Sequence, residues 1–265
     1  MDNSFDPVAD LYDETFSNTR IGKAQRDIVW KYLRKKNLIN KNILELNCGT
    51  GVDAIHLAQN NRVTATDASE AMLRITKAKI DQNDLQSNCK TILWNLNDQF
   101  PGDKEEKYDL IFSNFGGLNC ISPEALKNLS LELRDLLKPG GEMIFVVMGR
   151  FCLMESLYFL FKGKWKSVFR RRSKKSIIAA LNKGAEVEIW YYSSNKIIQL
   201  FNQFFVPKGK YPVGIFIPPS YFESFIKKHP TIYDSFVIAD KLLRGIGFLS
   251  CLSDHYIVEL KNKAE

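Results

Sequence analysis

The stretch Ile43-Leu44-Glu45-Leu46-Asn47-Cys48-Gly49-Thr50-Gly51-Val52-Asp53-Ala54 is the part of the chain best suited to chemistry. An apolar, β-favouring run enters a glycine turn, and a helical pattern opens directly after it. Gly49 and Gly51 permit a tight turn and close approach of backbone to a ligand, and a helix start offers unpaired N–H groups. Asp67 follows 22 residues after Glu45, at the end of the next apolar run, where a carboxylate can accept from both hydroxyls of a ribose. The implied chemistry is nucleoside binding in the first crevice of an open α/β sheet. Gly49-x-Gly51-x-x-Ala54 also satisfies the dinucleotide fingerprint. Three details oppose a pyrophosphate there: Glu45 sets an acid beside it, Asn47 occupies the turn, and the loop holds no Arg or Lys.

The elements that must position these residues alternate between strand and helix patterns from about residue 20 to 147, which predicts a parallel sheet flanked by helices. Helices are expected at Ile21–Lys35, Gly51–Gln59, Ser69–Gln82 (capped by Ser69) and Pro123–Leu136. Strands are expected at Asn42–Leu46, Arg62–Thr66, Thr91–Trp94, Tyr108–Ser113 and Glu142–Met148, the last reached through Lys138-Pro139-Gly140-Gly141. Past Gly149 the rhythm breaks. A helix at Phe151–Phe161, a strand at Glu186–Tyr192, a helix at Ser194–Asn202 and a strand at Phe204–Ile217 are expected, then helices at Ser220–Lys228 and Thr231–Arg244 and a final strand at His255–Leu260. We read one domain with insertions: a lid at 1–20, a core at 21–149, a basic and aromatic insertion at 150–193, a core helix and strand at 194–217, a helical insertion at 218–253 and the last strand at 254–265.

These motifs resemble those of a class I S-adenosylmethionine-dependent methyltransferase of the small-molecule type, with a domain like the type 11/25 groups. Glu45-Leu46-Asn47-Cys48-Gly49-Thr50-Gly51 resembles the acid-x-G-x-G-x-G motif, Thr66-Asp67-Ala68-Ser69 with Met72 the second strand's end, and Leu137-Lys138-Pro139-Gly140-Gly141 the approach to the fifth strand. The leader Phe5-Asp6-Pro7-Val8-Ala9-Asp10-Leu11-Tyr12-Asp13 is similar to those in which a Tyr covers the methionine end. The resemblance implies an α/β, Rossmann-like three-layer sandwich: a mostly parallel seven-stranded sheet with an antiparallel last strand, plus helical lid insertions. It implies S-adenosyl-L-methionine as cofactor, with Asp67 on the ribose, Ala68 and Met72 at the adenine, and Glu45, Gly49 and Gly51 around the methionine amino group and ribose. It places Asn95 and Leu96 where an Asp usually meets the adenine amine, Ser113 and Phe115 beside the sulfonium, and Tyr12 over the methionine. Asn47, in place of the first glycine, departs from the pattern and needs a turn that Asn tolerates.

In an open parallel sheet, ligands bind beyond the carboxyl ends of the strands. The leader and both insertions therefore lie where an acceptor must enter, and their aromatics favour an apolar or aromatic small molecule, O- or C-methylated by in-line displacement. Where the acceptor is protonated a base is needed, and His255 is the candidate; a hydrogen-bonded strand-end histidine is the alternative. No Asn/Asp-Pro-Pro-aromatic motif follows Tyr108–Ser113, which argues against amino methylation of adenine or glutamine.

The net charge of +7 comes from one place. Between Ser156 and Ala185 there are nine basic residues and no acid, leaving 28 basic against 30 acidic residues elsewhere. This distribution argues against a generally cationic nucleic-acid coat. The run Lys162–Lys175 reads as a solvated face, as a docking surface for an acidic carrier protein or anionic membrane, or as an RNA contact. Five cysteines with no C-x-x-C, no metal-ligand spacing, a polar acidic start at Met1–Asp6 and no apolar run near the ~20 residues of a membrane span predict a cytoplasmic protein without metal. An NAD-dependent oxidoreductase and a non-catalytic nucleotide- or RNA-binding module on the same fold remain the competing readings.

Overall fold

The computed structural model describes residues 4–181 and 184–263. Met1–Asn3 of the expected lid, Asn182 and Lys183 of the basic insertion and Ala264–Glu265 of the last segment lie outside the described residues. Helices α1 (Ala9–Tyr12), α2 (Arg20–Arg34), α3 (Val52–Ala58), α4 (Glu70–Gln82) and α5 (Pro123–Leu136) alternate with strands β1 (Asn42–Leu46), β2 (Arg62–Asp67), β3 (Cys89–Leu93), β4 (Tyr108–Ser113) and β5 (Leu137–Met148). Then follow α6 (Leu153–Phe161), α7 (Trp165–Val168), β6 (Ile177–Ala180), β7 (Glu186–Ile189), α8 (Ser194–Phe201), β8 (Phe205–Val213), α9 (Glu223–Lys228), α10 (Pro230–Leu243) and β9 (His255–Asn262).

Local chemistry sets the boundaries. Thr19, Ser69, Ser122 and Ser193 each accept an N–H from the first turn of α2, α4, α5 and α8, satisfying donors that a bare helix start leaves orphaned. Seven strands form one sheet in the order β3-β2-β1-β4-β5-β9-β8. β1 to β5 pair in parallel, and β9 runs antiparallel between β5 and β8. The expected mostly parallel sheet is thus present, with the reversed strand one place in from the edge. One face is packed by residues of α2, α3 and α4, the other by residues of α5 and α8. Buried on both sides, the central strands read as continuous apolar runs, as a parallel sheet requires.

Two expectations need correction. The strand expected over Phe204–Ile217 stops at Val213, because Gly214 turns with φ +73° and the N–H groups of Ile215, Phe216 and Ile217 leave the ladder for the buried carboxylate of Asp240 at 2.7, 3.1 and 2.6 Å. The strand at Glu186–Tyr192 is shorter and belongs to a separate two-stranded sheet with β6.

The basic run is not uniformly solvated either. Arg171 is 4% exposed; it donates to Glu155 from Nε and Nη2 at 3.0 and 2.7 Å and from Nη2 to Asp254 Oδ1 at 2.7 Å. Arg170 also clamps Glu155 with two bonds of 2.9 Å, the Tyr221 hydroxyl donates to the same carboxylate at 3.0 Å, and Gln25 donates to Asp254 Oδ2 at 3.0 Å. Both insertions, α2 and the start of β9 are therefore tied by one buried ionic cluster. Burial alone would raise both carboxyls, but the arginines hold Glu155, and Arg171 with His255 holds Asp254, below the ordinary carboxylate range. Depressed carboxyl pKa values add stability above the unfolded value near ~4 and lose it as pH falls through the folded value. Arg171→Met should lower the urea-unfolding free energy by about 3 kcal/mol at pH 7, because it takes the arginine from buried Asp254 and leaves Glu155 with Arg170 alone as its cation. The gap to the parent chain should shrink below about pH 4 as those carboxyls protonate; a gap independent of pH would contradict the ionic account.

Candidate functional site

The glycine turn leaves β1 through Asn47, Gly49 and Gly51, all at positive φ (54°, 55° and 77°). Cys48 N–H bonds the carbonyl of Thr66 at 2.8 Å, tying the turn to β2. A Cβ on Gly51 would stand 2.6 Å from Thr76 Cγ2, so this glycine is needed both for its φ and for the approach of α4. At the end of β2, Asp67 accepts the Gly49 N–H on Oδ2 at 2.8 Å and the Ser69 N–H on Oδ1 at 2.9 Å. A carboxylate has about four acceptor positions, so two remain for a pair of hydroxyls. Burial pushes the Asp67 carboxyl upward, against the bonds from Ser69 and Gly49.

These groups open onto a cleft of about 860 Å³ beyond the carboxyl ends of β1, β2 and β4, within the roughly 300–1,000 Å³ typical of small-molecule sites. Tyr12, Asn47, Gly49, Asp67, Ala68, Met72, Asn95, Leu96 and Phe115 all line it. Glu45, Gly51, Ser113 and His255 do not. Glu45 lies beneath the turn, 1% exposed, with Oε2 unpartnered; burial, then the nearby Asp53, pushes its carboxyl well up. Asn47 Oδ1 and Ser113 Oγ are also buried without a partner, and β1 and β4 are paired with Leu46 opposite Ser113. Of these three unsatisfied atoms only Asn47 Oδ1 belongs to a residue on the cleft, where it fits a ligand that brings a donor, such as an amino group.

His255 starts β9 at the expected edge, between Met148 and Val213, but is only 6% exposed. The Phe115 ring stands edge-on to it at 5.5 Å, and Nδ1 lies 3.2 Å from Asp254 Oδ2 without a hydrogen bond. It is a buried strand-end residue behind the cleft wall. Ser113 is likewise replaced at the wall by its neighbour Asn114, whose amide donates to Asp53 Oδ2 at 3.0 Å. Asn95 lines the cleft, yet its Oδ1 already accepts the N–H and side-chain amide of Asn97 at 3.0 and 2.9 Å, so the acceptor expected for an adenine amine is occupied. Asp98 supplies a carboxylate on the same wall.

The leader lies across the turn. Asp13 accepts from Thr50 Oγ1 at 2.6 Å and from Lys79 Nζ at 2.5 Å, and Ser69 Oγ donates to Asp6. This strap holds Tyr12 in the cleft, where burial raises its hydroxyl to about 12 and keeps it protonated at neutral pH. Phe16 meets Phe115 edge-to-face at 5.3 Å, and Arg26 stacks over Phe115 at 4.9 Å. Phe115 itself is held at φ +45°, a strained conformation for an aromatic. Cys120 also lines the cleft, but burial raises its thiol to about 12, which removes the thiolate a nucleophile needs.

Sequence reasoning overlooked Gly117. A Cβ there would lie 2.5 Å from Asn47 Cβ, so the Asn47 side chain is accommodated by the missing side chain across the turn. The doublet Gly116-Gly117 after β4 was the available signal. Gly117→Ala should destabilise the chain by about 1–3 kcal/mol through overpacking, and adding Asn47→Gly should recover most of that loss. Additive effects in a thermal-unfolding cycle would show that the two sites are independent.

Residues 43–141 match the Methyltransferase domain family. Malonyl-[acyl-carrier protein] O-methyltransferase 2 of Ilyobacter polytropus is 34% identical over 122 residues, 44% of each chain. The tRNA N(3)-methylcytidine methyltransferase trm140 of Schizosaccharomyces pombe is 26% identical over 185 residues, 65% of this chain and 54% of that one. The chain thus spans about half the length of these curated relatives. Among solved structures, the DhpI-SAH complex superposes with a TM-score of 0.62 over 98% of this chain and 94% of that one, at 16% identity, a likeness of fold. With the glycine turn, the acid after β2 and this sheet order in place, residues 43–141 form a domain of the Methyltransferase domain family.

Proposed function

We propose that the chain binds S-adenosylmethionine in the 860 Å³ cleft and methylates a small hydrophobic or aromatic acceptor on oxygen or carbon. The observation that carries this reading is one cleft bordered by the Asp67 carboxylate, with two acceptor positions to spare, and by the unpartnered Asn47 Oδ1, with Glu45 Oε2 unsatisfied just beneath. When bound, the cofactor supplies an electrophilic methyl carbon. The chain's own residues bind and orient. Asp67 receives the ribose hydroxyls, Ala68, Met72 and Leu96 make the apolar wall for the base, and Asn47 faces the amino-acid end. A cationic group near Glu45 would favour its ionised form against burial. Tyr12 and Phe115 line the site, and Ile121 and Val187 add apolar surface for an acceptor held against the methyl carbon.

The family match lies in the cofactor half, so the acceptor class rests on the lid. The rings on the cleft, Phe5 and Tyr12 of the leader with Phe115, support a hydrophobic molecule, although Val187 is the one residue of the insertions among its lining, and the likeness to a malonyl-[acyl-carrier protein] O-methyltransferase supports oxygen as one methylated atom. An acyl group on a carrier protein is a further acceptor consistent with that likeness. The tRNA-acting relative supports an RNA acceptor, but the slightly acidic remainder of the chain opposes it.

Titration calorimetry should find S-adenosylhomocysteine binding and no NAD binding, with Asp67→Ala weakening the former by about 100-fold or more, as loss of charge-assisted hydrogen bonds to two hydroxyls implies. NAD binding without S-adenosylhomocysteine binding would overturn the reading. Asp13→Ala should release the strap and raise the Kd for S-adenosylhomocysteine about tenfold, one to two charged hydrogen bonds' worth, while leaving thermal stability near that of the parent. An unchanged Kd would mean that the strap plays no part in binding.

A further inference from the structure

The insertion after β5 contains a feature the cleft does not use. The first half of α6 is anchored by buried Glu155 and Ser156, but its end is not: Leu157 and Leu160 are 37% and 38% exposed and Phe161 is 85% exposed, the most exposed large apolar side chain among the described residues. Gly163 then turns the chain at φ +67° with nothing within 4 Å of a Cβ placed on it, so the turn projects from the body. Trp165 (70%) and Phe169 (53%) follow on the far side. Lys162, Lys164, Lys166, Lys174 and Lys175 alternate with or flank these rings, all exposed, and none forms an ion pair among the described residues. Arg170 and Arg171 belong to the buried cluster and are not part of this face.

Two opposed requirements meet here. Three bulky rings in water favour an apolar environment, while five unpaired ammonium groups favour an anionic one. An acidic protein would satisfy the lysines but gives no role to rings that protrude between them. The interface of an anionic bilayer satisfies both, with rings at the headgroup and acyl boundary and lysine stems extended toward phosphates. We propose that the α6–Gly163–α7 tip is a reversible docking site for an anionic lipid bilayer. The same insertion also places Val187 on the cleft wall. The proposal does not depend on the methyl-transfer reading.

Flotation of the whole chain with vesicles tests it. Vesicles of phosphatidylcholine with phosphatidylglycerol should carry the chain, and phosphatidylcholine alone should bind it at least about tenfold more weakly. The double variant Phe161→Ser/Trp165→Ser and the triple variant Lys162→Glu/Lys164→Glu/Lys166→Glu should each lose at least about tenfold in vesicle affinity. Both should keep the parent's thermal unfolding and S-adenosylhomocysteine affinity. Equal binding to both vesicle types, vesicle binding unaffected by either variant, or binding to an acidic acyl carrier protein with none to vesicles would overturn the proposal.

Discussion

The carboxylate of Asp67 is the constraint on which the site depends. One oxygen holds the N–H of Gly49 and the other the N–H of Ser69, so a single group at the end of β2 sets the glycine turn of one crossover against the cap of the next. The bonds are present before any ligand binds, and they hold in place a carboxylate that lines the cleft and keeps acceptor capacity. Without the acid, the glycine turn and the first turn of α4 would each lose a hydrogen-bond acceptor. The chemistry of the cleft therefore follows from a backbone requirement as much as from the side chains that face it.

Around that centre, the molecule separates its charges by task. Asp13 bridges Thr50 in the turn and Lys79 on α4, drawing the leader across the cleft. Glu155 and Asp254 gather Arg170, Arg171, Gln25 and Tyr221, joining two insertions to the sheet edge. A cluster of this kind sets geometry more reliably than it adds stability, since the desolvation of its members offsets much of their attraction. Arg170 and Arg171 of the basic run act inward in this way, while Arg172 and the run's lysines are exposed on the side of the aromatic tip. The segment that looked uniform in composition has two surfaces with different physics.

Much of this was legible from the residues. Local chemistry announces itself: β1, β4 and α5 have the expected bounds, and Ser69 caps α4 as its position before an amphipathic run implied. The glycine turn and Asp67 were readable because the fold brings them together through short connections. Long-range partners were not. Arg171 lies 83 residues from Asp254, and nothing in a run of basic side chains marks which one folds inward. Asp240 draws three N–H groups from residues 23 to 25 positions earlier and ends a strand whose apolar pattern continues to Ile217. Asn95 had the right place and residue type, yet its acceptor is consumed two residues away, an Asx turn that spacing alone does not distinguish from a free side chain. His255 had the right edge and the wrong depth, because strand order gives position along the sheet and not the ring of Phe115 in front of it.

We propose that one cleft, organised by Asp67, holds the nucleoside of the cofactor. A crystal structure of the chain grown with S-adenosylhomocysteine tests it most directly. Density should then show both ribose hydroxyls on Asp67, the base against Met72 and Leu96, and the amino-acid end at Asn47 beneath Tyr12. Density for the ligand away from Asp67, or with the ribose turned from its carboxylate, would contradict it.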